Sequence, residues 1–289
     1  MNTPINSWKS LTLGFTHDLN DALQQQHHAA QLIALVGRHL ILQQSDDSNT
    51  NMEFVFGEEM LMGNALSNGM RVVLYLKDLN MRILDQKNGI KKEIGLTGKT
   101  IQQGFEELKQ SLSDLGVDVS NFNNELHYEI PAHQLDQGAY FFIEDENYFL
   151  ENAKYRHNAK IVLNEVSKLF EQYEPIKIWP HHFDTGAYYV LSKNENGSAS
   201  KTIGIGWAVP DSMVDEPYYY LSFWSEKPKD IMVDFPVLEA GKWMMPNWNG
   251  AVLRHSEIQN EGSAEKQHGL VQSFFTQGIA ILSHYLKNS

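Results

Sequence analysis

Two histidines and an aspartate crowd into Trp179-Pro-His-His-Phe-Asp184, within a stretch, Ile176 to Leu191, that reads as a β-strand. Alternate side chains of an extended chain share a face. That spacing predicts His182 beside Asp184, a gap in the row at Gly186, and His181 facing the other way. A glycine inside a strand often marks close approach of a ligand or of another backbone. A carboxylate beside an imidazole fixes its tautomer, raises its basicity or shares a metal ion with it. The same pair also occurs as a buried hydrogen bond that only holds a sheet together. Two chemistries follow. In one, His182 is a base or ligand and Asp184 orients it, so the pair is catalytic. A mononuclear zinc or iron(II) centre would then need His181 or His255 as a further ligand, with a bulge at Pro180 to turn His181 round. In the other, the pair is the polar floor of a binding pocket.

The walls of such a pocket come from the aromatic second half. Trp179, Trp207, Trp224, Trp243 and Trp248, five of the six tryptophans, lie there. The predicted strand Pro217–Ser225 sends Tyr219, Leu221 and Phe223 to one face and Tyr218, Tyr220, Ser222 and Trp224 to the other. A face that is aromatic and also hydrogen-bonding suits a small-molecule pocket. Tyrosines reaching from a thick sheet to water would read the same way. The segment Gly241–Gly250, rich in Trp, Asn and Pro, is expected to be an irregular loop that rims the pocket with Trp243 and Trp248. His255 follows it and could point back. The ligand-binding set is therefore His181, Tyr218, Tyr220, Trp224, Trp243, Trp248 and His255, with a small molecule as partner. A third use of the same face is contact between two copies of the chain, a homodimer.

These residues must be positioned by the elements around them. A helix is expected over Thr16 to Gly37, with Gln24 to His28 on a solvated face and Gly37 as terminator. Strands are expected at His39–Gln43, Met52–Met62 and Met70–Asp85, as an antiparallel meander. Gly95-Leu-Thr-Gly-Lys-Thr100 resembles a phosphate loop, but Glu93 stands where its first glycine belongs. Thr100 and Gln103 instead form a capping box that opens a helix ending at Gly116. Val117 to Phe142 reads as extended around a loop at Pro131–Gly138, with Glu125, His127 and Glu129 on one face, a triplet that could coordinate a metal but is read as a solvent-facing edge strand. Glu151 to Tyr173 reads as an amphipathic helix that leads into the His/Asp strand. Strands at Lys201–Val209, Pro217–Ser225 and Ala251–Arg254 and a helix from Ala264 to Leu286 complete the chain. The expected fold is α+β, antiparallel sheet with packed amphipathic helices, in one compact unit of 1–289. The pattern also allows two similar halves, 1–143 and 144–289.

Composition narrows the function classes. The 289 residues can bury a large core. A formal charge of −13 argues against non-specific binding to nucleic acid or an anionic membrane. With no cysteine, disulfides, thiolate catalysis and cysteine-ligated metal sites are excluded. No signal-like segment and no apolar run of about 20 residues is read in the sequence, so a cytoplasmic location is expected. No dinucleotide loop or nucleophile elbow is present, so no nucleotide cofactor is expected. Glu265 and His268 have a di-iron spacing but no second such pair.

Trp179-Pro-His-His-Phe-Asp184, Asp215-Glu-Pro-Tyr-Tyr-Tyr-Leu-Ser222 and Trp248-Asn-Gly-Ala-Val-Leu253 resemble segments of an uncharacterised bacterial family, domain of unknown function 5996. So does the helix running to Gly116 with Val117 after it. Members of that family often carry histidine after the tryptophan matching Trp243, where this chain has Met244. The resemblance implies a shared architecture and pocket but no reaction.

Overall fold

The computed structural model describes residues 7–172, 174–226 and 235–288. The chain forms two compact units that interleave along the sequence, one of residues 16–153 and 177–183, the other of 1–15, 154–176 and 184–289. The boundaries thus fall at 15/16, 153/154, 176/177 and 183/184, and not at 143/144. Both units pair antiparallel strands with helices, so the fold is α+β as expected.

The first unit is built on α1 (His17–Leu40), which Thr16 caps by accepting from the Leu19 amide at 3.2 Å. Its polar stretch is not solvated: Gln25, Gln26, His27 and His28 are all buried. These side chains serve backbone carbonyls of neighbouring segments, at the turns holding Leu76 and Pro180 and in the first turn of the helix that starts at Glu146. Gln26 Nε2 donates to Leu76 O (2.9 Å) and Phe149 O (3.0 Å). His27 Nε2 and Gln31 Nε2 both donate to Pro180 O, at 2.8 and 3.0 Å. Gly37 does not end the helix. A Cβ there would lie 2.4 Å from Asn49 O, so glycine is required by close backbone approach, and the helix runs on to Leu40. The strand expected at His39–Gln43 is accordingly the end of this helix and a loop.

Each long strand candidate that follows folds back on itself. β1 (Met52–Val55) pairs with β2 (Met60–Gly63), and β3 (Arg71–Tyr75) with β4 (Asn80–Leu84). Left-handed Gly57 (φ 80°) and Glu59 (φ 49°) make the first turn, and Leu79 (φ 50°) the second. β5 (Ile90–Gly95) extends the meander. α2 (Ile101–Asp114) opens with both halves of the Thr100/Gln103 capping box in place. Residues 117–142 contain no strand, only turns and a short 3₁₀ helix at Gln134–Gln137, and His127 Nε2 donates to Asp47 Oδ2 at 3.0 Å. The edge strand expected there is absent. α3 (Glu146–Val166) begins earlier than expected and ends earlier, and Tyr173 lies outside the described residues. β6 (Lys177–Trp179) returns to pair with β1, giving the order β6-β1-β2-β3-β4-β5.

The second unit holds β7 (Asp184–Lys193), β8 (Ala199–Ala208), β9 (Tyr218–Ser225), β10 (Lys242–Trp243) and β11 (Gly250–Arg254), ordered β10-β11-β9-β8-β7. α4 (His255–Gln259) and α5 (Ala264–Asn288) follow. The odd-numbered face is the core: Tyr155 stacks on Trp207 at 5.3 Å, Phe275 meets Tyr219, and Tyr285 meets Phe223. Residues 7–15 run through this unit without regular structure and are held by side-chain amides. Gln267 both accepts from and donates to the Leu11 backbone, and Asn158 does the same for Lys9.

Candidate functional site

The predicted His/Asp strand is interrupted. Residues 180–183 form a turn, with strand on either side. Phe183 adopts φ 51°, and its buried ring lies flat on His27 at 4.6 Å with planes 2° apart. Proline has no N–H for a ladder, and the Pro180 carbonyl is taken by His27 and Gln31. Strand alternation therefore stops at Trp179 and restarts at Asp184, and the spacing argument that set His182 beside Asp184 does not apply. His182 is exposed on the turn, 4.4 Å ring to ring from His181, which packs against Tyr128. These residues belong to the first unit, whereas Asp184 belongs to the second.

Asp184 has a different partner. Register places Val252, Tyr220, Gly206 and Gly186 in one row across β11, β9, β8 and β7. The Tyr220 phenol lies down along that row. A Cβ on Gly206 would come within 2.4 Å of its ring, and one on Gly186 within 2.6 Å of its hydroxyl. Its O–H donates to Asp184 Oδ2 at 2.6 Å. The gap foreseen at Gly186 is real, but a side chain from two strands away fills it. Ser222 covers Gly204 in the neighbouring row, and the Trp248 ring covers Gly250. Tyr218 makes a second pair of the same kind, donating to Asp211 Oδ2 at 2.7 Å. Half-buried Met213, Met244, Tyr220 and Trp248 pack around Tyr218 and Val252. Further along the face, Trp224 and Tyr188 are open to solvent.

Electrostatics fixes the protonation of this face. Burial, then the Asp184 charge and hydrogen bond, hold the Tyr220 hydroxyl well above the usual phenol range. Burial, then the hydrogen bond to Asp211, do the same for Tyr218. Both remain donors at neutral pH. Arg156 is buried beneath, donating to Thr185 Oγ1 at 2.8 Å with its guanidinium 5.0 Å from the Trp207 ring. Burial, partly opposed by the Asp184 charge, brings its pKa down to about 9, so it stays charged at neutral pH.

The other expected wall residues lie elsewhere. Trp243 donates from its indole to Pro236 O at 3.0 Å and packs on Phe235, which in turn meets Phe223 and Tyr285 on the core face. His255 is buried in the same core. Its Nε2 donates to Leu13 O at 3.1 Å, which leaves Nδ1 to accept from Tyr155 O–H at 3.0 Å. Asp184, Tyr218, Tyr220, Trp224 and Trp248 thus share one face, while Trp243 and His255 belong to the opposite one. Asp211 and Arg156 were not foreseen. One signal was available: Gly204 and Gly206, two apart in a strand, must share a face and leave a trough that a large neighbour fills.

Among the described residues, no group of three or more histidines and carboxylates is placed to hold a metal ion, and no helix is long and apolar enough to cross a membrane. Comparison with protein-family models, curated proteins and solved structures finds no match.

Proposed function

We propose that the protein binds a small molecule on the even-numbered face of the second unit, over the Tyr220–Asp184 and Tyr218–Asp211 pairs, without turning it over. The observation that carries this reading is the pair of hydrogen bonds that commit both phenols to carboxylates on an aromatic face, Tyr220 to Asp184 and Tyr218 to Asp211. A group that transfers protons works best with a pKa near the operating pH, and burial and paired carboxylates hold both phenols far from it. What the face offers is fixed hydrogen-bonding groups among aromatic and methionine side chains, the makings of recognition. The ligand that suits it has a flat apolar body and a hydrogen-bond donor for a carboxylate. The resemblance to domain of unknown function 5996 is also a proposal. It rests on the sequence motifs alone.

The test is a thermal-shift screen of the full chain with heteroaromatic compounds, followed by calorimetry on the hits. Genuine ligands are expected to bind at least tenfold more weakly to Asp184→Asn and Trp224→Ala, and equally well to Trp243→Phe. Hits indifferent to Asp184 and Trp224, chemical conversion of a hit, or a screen without hits at millimolar concentration would each overturn the reading.

A further inference from the structure

A second place for a ligand lies in the first unit. A cavity of about 230 Å³ opens between the first turns of α1 and the segment 133–149. Its walls are aromatic: Tyr140, Phe142, Tyr148 and Phe149. Two of them are out of place as packing residues, because Tyr140 and Phe142 are 62% and 61% exposed. Phe142 is nonetheless held. Its backbone N–H donates to Gln25 Oε1 at 2.9 Å, and its carbonyl accepts from Gln25 Nε2 at 2.8 Å.

The floor is Asp21, and the same Gln25 fixes it. Gln25 Nε2 gives its other hydrogen to Asp21 Oδ2 at 2.8 Å. His133 Nε2 donates to Asp21 Oδ1 at 2.9 Å, while His133 Nδ1 accepts from the Leu135 amide. The ring nitrogen that faces the carboxylate thus orients it. One buried glutamine thus sets both an acid and the backbone that carries an aromatic ring, which is preorganisation of a kind that loop packing alone does not require.

The sign of the field selects the ligand. Asp18, Glu144 and Asp145 line the cavity with Asp21, and none of its described lining residues is lysine or arginine. The N-terminal ends of α1 and α3 contribute roughly half a positive charge each, well short of four carboxylates. Aromatic faces beside a carboxylate attract organic cations through the ring quadrupole as well as through charge.

We infer that this cavity is a binding site for a small organic cation of the alkylammonium class, with Asp21 as counter-ion and Phe142 and Tyr140 as the aromatic walls. The inference is independent of the proposed ligand face in the second unit. Calorimetric titration of the full chain with n-butylammonium chloride, against sodium chloride of equal ionic strength and sodium butyrate, tests it. Saturable binding is expected for butylammonium alone, at least tenfold weaker in Asp21→Asn and in Phe142→Ala and unchanged in Trp224→Ala. Phe142→Ala removes a largely exposed ring and leaves the Gln25 clamp on its backbone, so it keeps the test valid if Asp21→Asn disturbs α1. Butylammonium binding no better than sodium, or equally strong in Phe142→Ala, would overturn the inference.

Discussion

Tyr219 and Tyr220 are adjacent in sequence and opposite in their chemistry. Tyr220 spends its hydroxyl on a carboxylate, whereas the Tyr219 hydroxyl is fully buried and has no hydrogen-bond partner among the described residues. Desolvation of a hydroxyl without compensation costs about 1–3 kcal/mol. Tyr219→Phe is therefore expected to leave stability unchanged or raise it by about 1 kcal/mol, measured by urea unfolding. A loss larger than that would mean a bound water or other partner satisfies the group. At this scale the sequence was half legible. Strict alternation sorted Tyr218, Tyr220 and Trp224 from Tyr219 and Phe223, and that sorting holds because β9 is a regular strand. The partner of Asp184 was illegible because it stands 36 residues away, and only register brings the two together.

The row Tyr220–Gly206–Gly186 makes a property of single residues into a property of three strands. Replacing Gly206 by alanine would drive a methyl into the Tyr220 ring. Overpacking of this kind costs about 1–3 kcal/mol, and the ring can escape only by giving up Asp184. Gly206→Ala is expected to lower the urea midpoint and to weaken any ligand of that face, while Gly206→Ala with Tyr220→Ser recovers part of the stability. Failure of the second change to recover anything would sink the account. Elements with a local chemical signature were read correctly, as with the Thr100/Gln103 cap and the long α5. The hairpins were not: in the second, Leu79 occupies a left-handed position without the glycine or asparagine that announces a turn, although Gly57 (φ 80°) did mark the first. Nor was the burial of α1, since glutamine and histidine read as solvent-facing until the backbone carbonyls they serve are known.

Neither unit is one continuous stretch of chain, so the molecule cannot be cut into its units by a single break. A fragment of residues 16–153 lacks β6, whose Ile178 stands opposite Met52, and lacks Phe183, which covers His27. It is expected to be poorly folded by circular dichroism, and appending residues 177–183 through a short linker is expected to restore a cooperative melt. A cooperative melt in the bare fragment would contradict this. The helix-and-strand composition was legible in the sequence, but the interleaving was not, because composition carries no record of which distant segments share a core. The amide clamps on residues 7–15 have one more consequence, and it concerns time. Leu11 is bound by Gln267, 256 residues later. At about 5–20 residues per second, the segment around Leu11 waits roughly 13–50 s for the helix that will hold it. The second unit can close only after Gln267 has emerged, whereas the first has all its parts once Phe183 has emerged.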